Sequence, residues 1–404
     1  MYVSRQIENT ILECLQEFPV VLLSGPRQVG KTTTLENICH QYHYCTLDDP
    51  ILLNQALEEP SLFLLNNTPP VFIDEVQYAP ELFRYIKMRV DSSHQMGAFL
   101  LTGSQTFELL ENASETLAGR MAIVEMQGFS LREQYGISFN LPFYPTKKYI
   151  EERKKVIKPY HDVWNRIQRG SLPYLTHENV HWERYYGSYV KTYIERDVRK
   201  SIHIKDEMKF LKFLIATAAR CGELLNYNSI ANEIDSNIDT VKRWISLLQS
   251  SGIIFLLEPY ANNIMKRVVK SPKLYFYDTG LVCYLTRWTS PDVLKNGAKA
   301  GNIFENFIVS EIMKSHINSG KMISSLYYYR DKDQKEIDLI LEENDILYPI
   351  EIKMSANPTL SMAKAFNALD SIPNKKRGLG CILCLYDKAI YLAENVIVLP
   401  IDYI

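Results

Sequence analysis

The chain has no excess of positive charge. Its 404 residues carry 45 Lys and Arg against 47 Asp and Glu, a formal net charge of -2. Such a balance gives no global electrostatic footprint for nucleic acid, although a local patch is still allowed. Disulfide and zinc frameworks are also missing. The seven cysteines, Cys14, Cys39, Cys45, Cys221, Cys283, Cys381 and Cys384, show neither zinc-ligand spacing nor the pattern of a secreted scaffold. Cys381 and Cys384 are two residues apart in the apolar, strand-like run GCILCL, where they read as core rather than as a metal or redox pair. No apolar run is long enough to span a bilayer, and the opening MYVSRQIENT is polar and charged, unlike a signal peptide. The expectation is a cytoplasmic protein with no membrane partner. Its length suggests two or three domains.

What is present starts at Val20. The apolar run Val20–Leu23 reads as a buried parallel strand, and it ends in Gly25-Pro26-Arg27-Gln28-Val29-Gly30-Lys31-Thr32, which fits GxxxxGK[ST] at every fixed position. The glycines let backbone N–H groups turn inward around a polyphosphate. Lys31 can reach the β- and γ-phosphates, Thr32 can place its hydroxyl on Mg²⁺, and Thr33 follows in the same turn. ATP and Mg²⁺ are the cofactors this loop implies.

A second anchor is Val71-Phe72-Ile73-Asp74-Glu75, apolar β-formers ending in two carboxylates. The expectation is a strand beside the first one, with Asp74 holding Mg²⁺ and Glu75 polarising the attacking water as general base. A third buried strand, Ala98–Leu101, runs into Thr102-Gly103-Ser104-Gln105. Ser104 and Gln105 are candidates for orienting water or sensing the γ-phosphate, since ligands sit at the carboxyl ends of parallel strands. They read equally as a polar strand end. Arg120, after Gly119, can reach a γ-phosphate in its own chain or a neighbour's, or pair with a surface acid. Asp48 and Asp49 read as turn caps as readily as ligand contacts.

Further on, Lys147–Lys158 reads as a solvated charged face, and Trp182–His203 as one long helix with an aromatic stripe that is core. Residues 206–260 have a helix-turn-helix pattern: helices Phe210–Arg220, Asn228–Ile234 and Asp239–Ser250, then a wing strand Ile253–Glu258. Asp239 or Ser236 is the expected cap of the third helix, where Lys242, Arg243 and Trp244 can face nucleic acid. In the last third, Glu305 sits on a predicted helix Asn302–Lys314, Asp338 on a strand Glu336–Leu341, and Glu351 and Lys353 on one face of a strand Tyr348–Met354. Acid, Asp, then Glu-x-Lys across a β-meander is the PD-(D/E)xK nuclease pattern. The carboxylates Glu305, Asp338 and Glu351 would hold a metal against a scissile phosphate, and Lys353 would stabilise the attacking water or developing charge. A helix Leu360–Leu369 and two strands are expected to close that sheet.

The ordered set GPRQVGKTT, VFIDEVQ, LLTGSQ, LAGR and LREQYG resembles prokaryotic AAA+-like ATPases that carry a DUF4143 region. SLPYL, YVKTYIERDV, LYFYDTGLVCYL, GNIFENFI, YYYRDKDQKEIDLIL and YPIEIK are similar to that family's later blocks, in its order. The resemblance covers nearly the whole chain. Motifs and resemblance together give an α/β fold in four parts: a P-loop AAA+-like parallel-sheet domain (1–140), a helical lid or linker (141–205), a winged-helix region (206–270) and an α/β PD-(D/E)xK nuclease-like domain (271–404). Three functions follow: an ATPase whose nucleotide state gates a DNA-directed nuclease, a nucleotide-dependent DNA-binding or scaffold switch that no longer cuts, or a regulator that grips a protein. The expected partners are ATP and DNA, and a homo-oligomer is compatible with the chain.

Overall fold

The apolar run at Val20 becomes a six-residue strand, Val20–Gly25 (β1), with every residue buried. A run without alternation takes this form when both faces of its sheet are covered. In the computed structural model, residues 2–104, 115–194, 207–261, 271–320, 325–331 and 333–404 are described. Four more parallel strands, His43–Thr46 (β2), Val71–Asp74 (β3), Phe99–Ser104 (β4) and Met121–Glu125 (β5), join β1 in the order β2-β3-β4-β1-β5. Alternate residues go to opposite layers. Val21 and Leu23 share a core with Ile11 and Leu15 of helix Glu8–Glu17 (α1) and with Leu35 of Lys31–Ile38 (α2). Val20 and Leu22 pack with Phe63 of Pro60–Asn66 (α4), and with Phe83 and Ile86 of Leu82–Ser93 (α5). Pro50–Glu58 (α3) precedes α4, and Asp49 caps it by accepting from the N–H groups of Ile51 and Leu52.

One expectation about this sheet fails. The acidic strand β3 is not the neighbour of β1, because β4 lies between them and pairs with both. Spacing along the chain cannot reveal such an insertion, since β4 follows β3 in sequence. All five strands are parallel, so their carboxyl ends still share one edge.

Short helices follow: Leu131–Gln134 (α6), Lys147–Lys154 (α7), Val163–Arg169 (α8) and Trp182–Tyr189 (α9). The α7 region is not simply a solvated face. Arg153 is fully buried, and its Nη2 donates to Tyr160 Oη at 2.9 Å and to the Asp402 carbonyl at 2.7 Å. The expected long helix from Trp182 changes to π-helical turns over Val190–Ile194, and residues 195–206 lie outside the described set. Glu207–Ala218 (α10), Tyr227–Glu233 (α11) and Ile238–Ser250 (α12) follow. Asn237, rather than Asp239 or Ser236, caps α12 by accepting from the N–H of Thr240 at 2.7 Å. Strands Glu223–Leu224 (β6), Ile254–Leu257 (β7) and Lys273–Phe276 (β8) form an antiparallel sheet ordered β6-β8-β7.

Asp278 caps Thr279–Leu285 (α13), and Pro291–Lys295 (α14) leads to Ala300–Asn318 (α15). Helix α15 is buried almost all round, as expected of a helix enclosed by other layers. Its Glu311 accepts from the N–H of Leu131 at 2.7 Å, and its Asn306 bonds both backbone groups of Phe276 at 2.8 Å. One helix thus ties the first part of the chain to the last. The final sheet is ordered β14-β15-β13-β11-β10-β9, with β12 beside β11. Its strands are Leu326–Arg330 (β9), Glu336–Glu343 (β10), Ile346–Lys353 (β11), Lys376–Arg377 (β12), Gly380–Cys384 (β13), Ile390–Ala393 (β14) and Val396–Pro400 (β15). Four strands, not two, follow β11, and Leu360–Ser371 is 3₁₀-helical. Among the described residues, no helix is long and apolar enough to cross a membrane.

Candidate functional site: a phosphate loop and a separate acid cluster

The loop after β1 turns on three positions. A side chain at Gly25 would put its Cβ 2.1 Å from the carbonyl oxygen of Met126, so only glycine fits there. Gln28 and Gly30 take positive φ values of 62° and 93°, which swing the loop back to start α2. Lys31 is buried and donates from Nζ to the carbonyls of Gly25 and Pro26, both at 2.9 Å, so its ammonium lies across the loop's own concavity. Arg5 braces the loop from below. It donates to the Val29 carbonyl at 2.8 Å and pairs with buried Glu133 at 2.9 Å.

Across the sheet edge, Thr32 Oγ1 donates to Asp74, 3.1 Å from each carboxylate oxygen, although 42 residues separate the two. Asp74 is ringed by hydroxyls, since Thr102 of β4 also donates to it and Tyr44 of β2 does so at 3.2 Å. Partial burial and the charge of Asp74 push the Tyr44 hydroxyl up to about 12, so it stays a donor at neutral pH. Glu75 follows with φ 59°, its N–H donating to Thr102 Oγ1 at 3.3 Å and its carboxylate accepting from Gln77. Ser104 stands beside Gly25 in the β1–β4 register, buried, with no hydrogen-bond partner for Oγ among the described residues. Gln105 lies outside the described residues. A cavity of about 190 Å³ adjoins the loop, lined by Tyr2, Val3, Gly30, Thr33, Tyr174 and His177 among others. Gln28 accepts from Tyr185 of α9, whose ring stacks on Tyr174 with centroids 5.8 Å apart. Hence Gly25, Gly30, Lys31, Thr32, Asp74, Glu75 and Ser104 gather at one edge, with Pro26, Arg27, Gln28 and Val29 in the loop and Thr33 on the cavity.

Arg120 is elsewhere. It precedes β5, whose Met121 pairs with Val20 at the start of β1, so it sits at the amino edge of the parallel sheet. Five residues of extended chain, about 16 Å, separate that edge from the phosphate loop. Its guanidinium pairs with Asp91 of α5. The expected reach to a γ-phosphate in its own chain is therefore corrected to a surface ion pair.

The second constellation also assembles, but around a residue that the motif did not include. Lys273 of β8 places Nζ 3.0 Å from Glu305 Oε1, 2.6 Å from Glu336 Oε1 and 3.9 Å from Asp338 Oδ1. Tyr275, two residues along, donates to Glu305 at 2.6 Å. Asp338 lies where the β9–β10 register shifts between Ile337 and Ile340, and such a bulge re-aims a side chain. Its Oδ2 accepts from the N–H of Ile352 at 2.8 Å and from Lys353 Nζ at 3.4 Å. Lys353 also pairs with Glu351 at 2.6 Å, as a shared strand face requires. Burial first, then the charge of Asp338, raises the carboxyls of Glu305 and Glu351 to about 7 and about 8. The three acids expected as metal ligands stand beside two lysines, Lys273 and Lys353. No group of three His, Cys, Asp or Glu among the described residues could hold a metal ion.

Three family models match along the chain: an AAA domain (AAA_14) over residues 17–135, a domain of unknown function (DUF8612) over 160–292 and a second one (DUF4143) over 300–404. The chain thus carries an AAA domain followed by a DUF4143 region, the domain pair of AAA+-like ATPases. An uncharacterized protein of Mycobacterium tuberculosis is 29% identical over 361 residues, 88% of this chain and 75% of that protein. One of Methanocaldococcus jannaschii is 26% identical over 342 residues, 76% and 69% of the two chains. A Walker-type ATPase of Pyrococcus abyssi is similar at 14% identity and a TM-score of 0.40, covering 69% of this chain and 94% of that one. The AAA-domain match and the phosphate loop together assign ATP binding and hydrolysis to the chain in general terms.

Several working parts of this ATPase escaped the sequence motifs. Thr102 and Tyr44 look like ordinary strand residues, and Arg5 precedes every motif. Asp278, which accepts from Ser171 N–H at 2.6 Å, Tyr186 Oη at 2.5 Å and Leu281 N–H at 2.8 Å, was visible only as part of the block LYFYDTGLVCYL. In the ATPase's α12, Lys242 and Arg243 are exposed, whereas Trp244 is core, packed against Phe210 and Phe213 with centroids 5.2 and 5.1 Å apart. Trp244 is therefore not available as a nucleic-acid contact.

Proposed function

We propose that this ATPase hydrolyses ATP at the β1–α2 loop with Mg²⁺ held by Thr32 and Asp74. The observation that carries the reading is the Thr32–Asp74 contact, which joins the two motifs at one sheet edge. The residues suit a hydrated Mg²⁺: a hydroxyl and a carboxylate lie side by side, and the other donors around Asp74 are neutral hydroxyls. Thr32 and Asp74 would hold the ion, whose charge would offset that of the phosphates. Lys31 exchanges the Gly25 and Pro26 carbonyls for phosphate oxygens, and the loop N–H groups bind the rest. Glu75, held by Gln77, orients the attacking water and takes its proton. Ser104 Oγ has no hydrogen-bond partner among the described residues, which supports a contact with the water or the γ-phosphate. Tyr2, Val3 and Thr33 border the cavity that would take the nucleoside. The test is turnover of the full chain with Mg²⁺. Lys31→Ala should reduce it by about 100-fold or more through lost charge stabilisation. Glu75→Gln should slow it by about 100-fold while ATP binding persists. Equal turnover in all three proteins removes the reading.

For the rest of the chain, the scaffold reading is favoured over the nuclease. Cleavage needs a metal on Asp338 and Glu351, and Lys273 and Lys353 already engage that cluster. DNA as the partner is supported by the helix-turn-helix of α11 and α12, with Lys242 and Arg243 on its exposed side. Salt-dependent retention of labelled duplex, weakened in Lys242→Ala/Arg243→Ala, is the corresponding measurement.

A further inference from the structure

The PD-(D/E)xK pattern implies a metal centre, and the side chains do not fit one. We propose that the ammonium group of Lys273 occupies the place of the metal, making Glu305, Glu336 and Asp338 a metal-free ionic joint between the β6-β8-β7 sheet and the C-terminal sheet. The proposal deepens the scaffold reading by naming the residue that displaces the ion.

The geometry carries it in three steps. Lys273 Nζ lies within 4 Å of carboxylates from two different elements: Glu305 on α15, and Glu336 and Asp338 on β10. Its side chain is only 4% exposed, so its charge is met by these acids and not by water. A divalent ion bound by Glu305 and Asp338 would need oxygens at about 2.0–2.6 Å and would have to share their space with that ammonium, at a strong like-charge cost.

Second, one oxygen of each expected ligand is already engaged. Glu305 Oε1 also accepts from Tyr275, and Asp338 Oδ2 accepts from Ile352 N–H and Lys353. Glu351 Oε1 is taken by Lys353. Among the described residues, Glu351 Oε2 is buried without a hydrogen-bond partner on a residue 7% exposed.

Third, the cluster sits on a seam that other contacts also close. Tyr328 of β9 donates its backbone N–H to the Glu258 carbonyl at 3.0 Å and accepts from Tyr260 N–H at 2.6 Å, while its hydroxyl donates to the Ser271 carbonyl at 2.5 Å. The Lys273 ammonium lies 5.9 Å from the Tyr328 ring centroid. An ion pair network at this position holds β8 to α15 and β10 whether or not nucleic acid is present.

The test uses Mn²⁺ alone, titrated into the full chain without nucleotide and followed by electron paramagnetic resonance. Wild type should bind no Mn²⁺ that depends on Asp338. Lys273→Met should gain one Mn²⁺ per chain, at least tenfold tighter than any wild-type binding, and Lys273→Met/Asp338→Asn should lose it. Lys273→Arg, which keeps the cation, should behave as wild type. A wild-type Mn²⁺ site abolished by Asp338→Asn overturns the proposal, as does a folded Lys273→Met that binds none. If Lys273→Met does not fold, wild-type crystals soaked in Mn²⁺ decide: an anomalous peak between Asp338 and Glu351 overturns the proposal, and its absence upholds it. Cleavage of DNA that survives Asp338→Asn would sink the scaffold reading while leaving the place of Lys273 intact.

Discussion

Asp74 and Asp338 are both buried aspartates on β-strands, and they are solvated by the protein in opposite ways. Around Asp74 the donors are hydroxyls from Thr32, Tyr44 and Thr102. Hydroxyls satisfy the oxygens but leave the negative charge to be matched by something else. Around Asp338 the Lys353 ammonium donates at 3.4 Å and the Lys273 ammonium stands at 3.9 Å. These supply the charge themselves. Two sites that look alike in a list of acidic motifs thus differ in the one property a metal ion responds to. A carboxylate ringed by neutral donors is poised for a cation, whereas one ringed by lysines already has it.

The largest effect that would separate the two sites is on stability. Asp338→Ala leaves the buried Ile352 N–H without its acceptor and removes one of the acids that balance Lys273 and Lys353, at a cost of about 2–3 kcal/mol. Asp74→Ala removes an acceptor from three hydroxyls that can turn elsewhere, so its cost should be about 1 kcal/mol. Urea unfolding should therefore show the larger loss in Asp338→Ala. ATP turnover should show the reverse, abolished in Asp74→Ala and retained in folded Asp338→Ala. Equal urea midpoints for the two variants would erase the distinction.

The sequence exposes one of these sites better than the other for a physical reason. A phosphate loop is built from backbone geometry, so glycines, a lysine and a hydroxyl at fixed spacing nearly determine it. The partnership of Thr32 with Asp74 follows once parallel strands bring their ends to one edge. The position of β4 between β1 and β3 does not follow, because strand order is set by packing and not by spacing. The acid cluster depends on a residue 65 positions before Asp338 that no local pattern marks. Lys273 in PKLYFYDTG belongs to no motif of its own. Only the closing of α15 over β8 buries it. Arg120 shows the converse failure: a suggestive Gly-Arg at a strand start lies at the wrong end of every strand in the sheet.

A smaller effect concerns pH. Burial, and then the charge of Asp338, raises the Glu351 carboxyl to about 8 and Glu305 to about 7, against about 4.3 in an unfolded chain. Between those limits the folded state holds protons that the unfolded chain has released. Stability from this source is full below about 4.3 and is lost as pH rises through the folded values. The wild-type urea midpoint should therefore fall from about pH 5 to about pH 8. Glu351→Gln removes the larger of the two titrations and should flatten that fall. Parallel curves for the two proteins would mean that Glu351 is ionised throughout and that the lysines alone balance the cluster.

The smallest effect is expected at Arg120, and it tests whether the first site is complete within one chain. Its guanidinium pairs with Asp91 on the surface, with both side chains more than a third exposed. Such a pair contributes little once salt screens it, so Arg120→Ala should leave the urea midpoint unchanged at moderate salt. The distance of about 16 Å between the amino edge of the sheet and the phosphate loop keeps Arg120 from acting on its own nucleotide. ATP turnover per chain in dilute solution should then match wild type within about twofold, against the 10³–10⁵ that an arginine supplied to the transition state is worth. A second copy could still present its Arg120 to this loop. In that case wild-type turnover per chain rises with protein concentration, Arg120→Ala does not rise, and mixing Arg120→Ala with Glu75→Gln restores it. A flat concentration dependence in both proteins assigns Arg120 to the surface alone.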